Sequence, residues 1–153
     1  MKKMTAPAMT ALVFEGKTNM QNMLAFVGDK PKELFKEAIQ NGLHPVGPQY
    51  WIYEWDDLKP NSDFNLKICL PVATFGAPFT NGVIKLQPLE PFMHVKAIHQ
   101  GPLENMKVTY NQLMDEMVKH NMKAGSVCRE VYMHCDFEQP ENNITEIQFG
   151  IIN

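Results

Sequence analysis

The 153-residue sequence predicts an α+β fold of two β-α-β-β units with pseudo-two-fold symmetry, antiparallel sheets and helices on one face. The first observation behind this prediction is that the chain aligns with itself when Leu34 is placed on Leu113, an offset of 79 residues. At this offset Trp51–Asp57 falls on Glu130–Asp136 without a gap. The second observation is that each half contains an alternating segment, a segment with helical periodicity, and two further alternating segments.

The first unit begins with a strand predicted at Thr10–Phe14. A helix is predicted over roughly residues 19–41, but Pro31 interrupts it because proline lacks an amide hydrogen and clashes with the preceding turn. We therefore expect a break there, with a second helical segment starting near the proline. Two strands follow, at Tyr50–Trp55 and Phe64–Val72.

The second unit repeats this order of elements. A strand is predicted at Met93–Ile98, and the sequence His-Gln-Gly-Pro then ends it. Strands are also predicted at Arg129–Cys135 and Thr145–Ile152. Between them lies an amphipathic helix that begins after Pro102, because apolar residues recur there at spacings of three and four. These residues are Leu103, Met106, Tyr110, Leu113, Met114, Met117 and Val118.

The two units are expected to form one domain over residues 1–153. The first repeat covers about residues 8–73 and the second about 92–153, and a Gly- and Pro-rich linker covers 74–91. A short strand is predicted within the linker at Val83–Gln87. We expect the helices to pack onto the sheets through Leu34, Phe35, Ile39, Met106, Tyr110, Leu113 and Met117.

Charge and hydropathy argue against several classes of partner. Seventeen acidic and 14 basic residues give a net charge of −3, and Arg129 is the single arginine, so direct nucleic-acid binding is not expected. No apolar run reaches the roughly 18 residues of a membrane span, and the N-terminal segment lacks the apolar core of a signal peptide. We therefore expect no membrane partner.

Cysteine and histidine spacing argues against metals and disulfides. The histidines show no metal-binding spacing, and no glycine-rich phosphate loop is present, so we expect no metal and no cofactor. The cysteines are odd in number and lack Cys-x-x-Cys spacing, which is typical of reduced thiols in a cytoplasmic protein. They are Cys69, Cys128 and Cys135.

Alternation along the strands predicts one sheet face that is rich in aromatic and acidic side chains, opposite the face that the helices cover. Its aromatic set in the first unit begins at Trp51, which falls on Glu130 at the offset of 79 residues. Tyr53 likewise falls on Tyr132. The candidate ligand-binding residues of this face are Trp51, Tyr53, Trp55, Glu130, Tyr132 and Glu146.

Such a surface suits an amphipathic and often cationic small molecule. Aromatic rings stack on planar ligands and attract cations through their faces. A carboxylate among them would be partly desolvated, which raises its pKa. The alternative is that the rings form a buried core while Glu130 and Glu146 face solvent.

Three segments in this order resemble the GyrI-like small-molecule-binding domain family, which also supplies the effector-binding module of AraC-type and BmrR-type regulators. The segments are AIHQGPLENMKVTYNQLMDEM, REVYMH and TEIQFGI. The resemblance implies a duplicated β-α-β-β fold with a ligand groove between the halves, where an acidic residue meets cationic aromatic compounds. It assigns that acidic position to Glu130 of Glu-x-Tyr and to Glu146 of Thr-Glu-Ile. Two positions depart from the family pattern, which has tyrosine where this chain has Leu103 and proline where it has Gly150.

The resemblance implies a stand-alone protein that binds amphipathic, cationic aromatic effectors or drugs, since no segment is left for a helix-turn-helix. One alternative is a hydrolase of cyclopropane-type alkylating toxins, in which Glu130 or Glu146 acts as the general base. Another is a protein-interaction module similar to a gyrase inhibitor. The sequence leaves open which of these applies, and therefore whether the protein is an enzyme, and it indicates no specific protein partner.

Overall fold

Nine antiparallel strands and three helices make up the fold, in a computed structural model that describes residues 1–57, 59 and 61–152. The helices are α1 (Met23–Val27), α2 (Lys30–Gln40) and α3 (Met106–Lys119), and short 3-10 turns lie at Leu103–Asn105 and Pro140–Asn142. The strands are β1 (Met4–Ala6), β2 (Met9–Thr18), β3 (His44–Pro45), β4 (Tyr50–Trp55), β5 (Phe64–Ala73), β6 (Lys85–Leu89), β7 (Phe92–Gln100), β8 (Lys123–His134) and β9 (Ile144–Ile152).

The predicted break in the first helical segment is confirmed. Gly28 ends α1 with a φ of 46°, in the left-handed region that glycine adopts without a Cβ clash. Asp29 then precedes α2, and Pro31 lies within its first two positions, where a missing amide hydrogen costs no intrahelical bond. In the part of the chain that the structure describes, no helix is long and apolar enough to cross a membrane.

The strand order supports the interpretation of two related units. The order is β1-β7-β9-β8-β4-β5-β2-β6, and β3 pairs separately with β5. Trp51 pairs with Glu130 between the central strands β4 and β8. Trp51 also pairs with Ile68 in β4–β5, and Glu130 pairs with Ile147 in β8–β9, so both hairpins have the register that the 79-residue offset requires. Two copies of one unit would give these registers.

The sheet curls so far that its two ends approach each other. Strands β1 and β2 lie near opposite ends of the strand order, yet only residues 7–8 connect them. Residues 90–91 likewise connect β6 to β7 across the same gap. Two connecting residues span at most about 11 Å, so the sheet is close to a closed barrel. Its inner face holds a small apolar cluster of Ala11, Val13, Ile52, Cys69 and Leu89.

The helices cover the other side of the sheet, which we call the helix-side face. Directly paired residues of antiparallel strands point to the same face, so Trp51, Glu130 and Ile147 share the helix-side face. The prediction that the aromatic and acidic set lies opposite the helices is therefore wrong for Trp51, Tyr53, Trp55, Glu130 and Tyr132. Val131 pairs with Tyr50 and lies on the inner face.

Two of the predicted helix-packing residues are also misplaced. Phe35 and Ile39 are 44% and 69% exposed, while Leu34 and Ala38 of the same helix are fully buried. Successive helical residues are rotated by about 100° around the helix axis. A one-residue error in assigning the buried face therefore places an exposed side chain in the core set. In α3 the assignment holds, because the buried residues are Met106, Leu113 and Met117.

Replacing Gly150 by alanine is expected to lower the free energy of unfolding by about 1–3 kcal/mol, because it overpacks the sheet. A Cβ there would lie 2.6 Å from the carbonyl oxygen of Val127 and 3.0 Å from ring carbons of Phe92. Gly82→Ala is the matched control, since its Cβ meets nothing within 4 Å. Urea denaturation followed by far-UV circular dichroism compares the two variants, and equal stabilities would contradict the predicted clash.

Candidate functional site

A buried carboxylate surrounded by tyrosine hydroxyls marks the candidate site. Glu130 is 6% exposed, and three tyrosines donate hydrogen bonds to it. The Tyr110 hydroxyl lies 2.7 Å from Oε1. The hydroxyls of Tyr53, at 3.2 Å, and of Tyr132 both reach Oε2. Three of the four tyrosines of the chain therefore converge on one carboxylate.

The local structure explains this convergence. Tyr132 lies two residues beyond Glu130 in β8, so both side chains leave the strand on the same face. Tyr53 of the neighbouring strand β4 pairs with Cys128, which places its ring on that face as well. Tyr110 reaches Glu130 from α3, because it lies on the side of that helix that faces the sheet, four residues after Met106.

Burial controls the protonation of this group. It raises the pKa of Glu130, and the hydrogen bonds from the three hydroxyls oppose that rise. Burial, together with the nearby Glu130 charge, raises the pKa of Tyr53, Tyr110 and Tyr132 well above 10. The tyrosines thus remain protonated donors near neutral pH. Among the residues that the structure describes, no lysine, arginine or histidine forms an ion pair with Glu130.

A cleft of about 360 Å³ opens beside the carboxylate on the helix-side face. Side chains from β4, β8, β9, α3 and the segment before α1 line it, and most of them are apolar or aromatic. Glu130 is the one acidic residue in this lining. The lining residues are Met20, Tyr53, Trp55, Tyr110, Gly125, Cys128, Glu130 and Phe149.

The structure brings five of the six predicted site residues together. Tyr53, Trp55 and Glu130 line the cleft directly. Tyr132 is hydrogen bonded to Glu130, and the ring of Trp51 meets the Tyr132 ring edge-on with centroids 5.0 Å apart. Tyr132 thus contacts the lining residue Glu130, and Trp51 is joined to the cleft through Tyr132.

Glu146 does not join this group, and the prediction that it shares a face with Glu130 is wrong. It pairs with Val131 in β8–β9, and it therefore lies on the inner face of the sheet. There it accepts hydrogen bonds from Lys96 at 3.3 Å and from Gln148 at 2.7 Å. A pair of carboxylates that divide acid and base roles in the cleft is thus ruled out for Glu130 and Glu146.

Sequence reasoning missed Tyr110, Met20, Cys128 and Phe149 as cleft residues. Tyr110 was assigned to the helix core, and its side chain does pack beside that core. The signal that could have found its role is its hydroxyl, which needs a hydrogen-bond partner when an otherwise apolar helix face is buried.

The thiol that lines the cleft is not activated, and the described residues form no metal-binding cluster. Burial, reinforced by the Glu130 charge, raises the pKa of Cys128 to about 12, so the group stays a thiol near neutral pH. Among the residues that the structure describes, no group of three or more histidine, cysteine, aspartate or glutamate side chains could hold a metal ion.

Glu130→Gln is expected to make the free energy of unfolding less dependent on pH. Because the folded-state pKa of Glu130 is raised above 4.5, the wild type loses stability as the pH rises through that folded value. Glutamine does not titrate, so the stability of the variant relative to wild type should increase between about pH 4 and pH 7. Urea denaturation across this range tests the sign, and a constant difference would show that the pKa is not raised.

Solved structures with the same fold include one that is bound to a small molecule. The EcmrR C-terminal domain matches with a TM-score of 0.74 and 18% identity, over 99% of this chain and 96% of that chain. SAV2435, in a structure bound to tetraphenylphosphonium, matches with a TM-score of 0.64 and 10% identity, over 99% and 93% of the two chains. A hydrolase encoded by lin2189 from Listeria innocua matches with a TM-score of 0.60 and 14% identity, over 99% of this chain and 91% of that chain.

At these identities the structural likeness establishes the fold and nothing more. No protein of curated function matches the chain. The sequence model of the GyrI-like small molecule binding domain, however, matches residues 1–152. The match covers almost the entire sequence, and the fold shared with the solved structures agrees with it. The chain therefore belongs to the GyrI-like small-molecule-binding domain family.

Proposed function

We propose that the protein binds amphipathic aromatic cations in the cleft beside Glu130. The observation that carries this proposal is a buried carboxylate that opens onto an aromatic cleft and has no cationic partner among the described residues. Burial penalises this charge, and a cation in the cleft would relieve the penalty. The buried charge of Glu130 therefore favours the binding of positively charged ligands.

The lining supports an aromatic, apolar ligand body. Trp55, Tyr53 and Phe149 offer rings that can stack on planar groups and attract cations through their faces. The volume of about 360 Å³ lies within the range of roughly 300–1,000 Å³ that is usual for small-molecule sites. The neighbour SAV2435 is bound to tetraphenylphosphonium, which supports the choice of that compound as a first probe.

Calorimetric titration with tetraphenylphosphonium and with tetraphenylborate tests the proposal. The two ions have nearly the same shape and opposite charges, so their comparison isolates the charge. We expect the phosphonium ion to bind at least about tenfold more tightly, which corresponds to about 1.4 kcal/mol. Equal affinities, or no binding of the phosphonium ion, would overturn the proposal.

Hydrolysis is the second candidate, and the raised pKa of Glu130 in a water-accessible cleft favours it. A single carboxylate can act as a general base that activates water for attack on a bound electrophile. Single-turnover reaction of an aryl-substituted cyclopropane electrophile with wild type and Glu130→Gln tests this role. If the electrophile is hydrolysed no faster with the wild type than in buffer, the hydrolase hypothesis fails and ligand binding is the remaining function.

We also propose a cytoplasmic location without direct contact to nucleic acid. The three free cysteines support a reducing compartment. The net charge of −3 and the single arginine support the absence of a nucleic-acid partner.

A further inference from the structure

His99 is a buried histidine at the end of β7, and both of its ring nitrogens are hydrogen bonded. Nε2 lies 2.9 Å from the carbonyl oxygen of Pro102, and Nδ1 lies 2.7 Å from the hydroxyl of Thr109. A carbonyl can only accept, so Nε2 carries the hydrogen and, in the neutral ring, the threonine hydroxyl donates to Nδ1. The ring is 6% exposed and therefore depends on these two partners.

These bonds join the sheet to the helix that covers the cleft. His99 pairs with Thr145, which pairs in turn with Tyr132, so the imidazole lies on the helix-side face. Thr109 belongs to α3 and directly precedes Tyr110. The turn between strand and helix is itself fixed, because the amide of Gly101 donates to the carbonyl of Asn143 at 2.9 Å.

The inward side of α3 contains two polar contacts within an apolar surface. Met106, Leu113 and Met117 supply the buried apolar contacts, and such contacts have little directional preference. The directional contacts are two hydrogen bonds, one between Thr109 and His99 and one from Tyr110 to Glu130. The rotation of α3 about its axis is thus fixed by two hydrogen bonds on adjacent residues.

A small rotation is enough to break the second bond. Turning a helix by roughly 10° moves an atom at its outer radius of about 6 Å by about 1 Å. The Tyr110 hydroxyl lies 2.7 Å from Glu130 Oε1, and a contact lengthened by that amount is no longer a hydrogen bond.

We propose that His99 is a positioning residue for the cleft, which through Thr109 holds α3 in the rotation that delivers the Tyr110 hydroxyl to Glu130. The relevance of this for ligand binding rests on the proposed function. The coupling between the two hydrogen bonds does not, because it concerns the protein without ligand.

Carbon-13 NMR titration of the Glu130 carboxyl group, assigned from the spectrum of Glu130→Gln, tests the coupling. The Tyr110 bond lowers the pKa of Glu130, so Tyr110→Phe should raise that pKa. Thr109→Val keeps the shape of threonine and removes the hydroxyl, and we expect it to raise the pKa of Glu130 by a similar amount. The double variant should show no further rise, because the same bond is lost in each case. Thr109→Ser retains a hydroxyl and should match the wild type.

An unchanged Glu130 titration in Thr109→Val, or effects that add in the double variant, would overturn the inference and leave His99 with a structural role alone. If Thr109→Val does not fold, Thr109→Ala gives the same comparison. The pH midpoint of tetraphenylphosphonium binding should rise together with the pKa in the first two variants. If the wild type does not bind that ion, the proposed function fails, and the titration of the free protein still decides the role of His99.

Discussion

Glu130→Gln is expected to weaken tetraphenylphosphonium binding by about 100-fold. Removal of one member of a buried charge pair typically costs about 2–5 kcal/mol, and glutamine keeps the size of the side chain while it removes the charge. Calorimetry would measure the loss. The affinity for a neutral aromatic compound of similar shape should change far less, because stacking on Trp55 and Tyr53 does not require the carboxylate.

Glu146→Gln is the matched control for this experiment. It removes the same charge from β9, but on the inner face of the sheet, where Glu146 contacts Lys96 and Gln148. Its binding should equal that of the wild type. If Glu130→Gln lowered the affinities for cationic and neutral ligands equally, the cleft would recognise ligand shape and stacking, and ligand charge would not contribute to binding.

Leu113→Ala is expected to lower the free energy of unfolding by about 2–5 kcal/mol, because it leaves a cavity beneath α3. Leu113 is 3% exposed and packs in one apolar cluster with Val95, Met117 and Ile147. Val118→Ala in the same helix is the control, since Val118 is 75% exposed and should change stability by less than about 0.5 kcal/mol. Urea denaturation measures both, and a loss below about 1 kcal/mol for Leu113→Ala would contradict its burial.

The sequence predicted the elements of the fold better than their orientation. Alternation located β4, and the interruption at Pro31 located the junction of α1 and α2, because both signals are local. Alternation divides the residues of a strand into two sets, but it does not say which set meets the helices. In β8 the prediction assigned Glu130 and Tyr132 to the face opposite the helices, whereas both lie on the helix-side face.

Glu130 can lie on the packed side of the sheet because three hydroxyls donate hydrogen bonds to it inside the fold. The tyrosines come from β4, β8 and α3, and no local pattern reveals that side chains so distant in sequence converge. The same error placed Glu146 on one face with Glu130. Glu146 does lie opposite the helices, as predicted, but Glu130 pairs with Ile147 on the helix-side face, so the two carboxylates point to different faces.

Strand β4 carries both tryptophans of the chain, Trp51 and Trp55. Their intrinsic fluorescence can therefore report on the cleft. Trp55 lines the cleft, and Trp51 touches Tyr132 edge-on, so all indole emission originates within one or two side chains of Glu130. A ligand that enters the cleft should quench or shift this emission without any label. The same property means that fluorescence cannot serve as a neutral monitor of unfolding here, since occupancy and unfolding would both alter the signal.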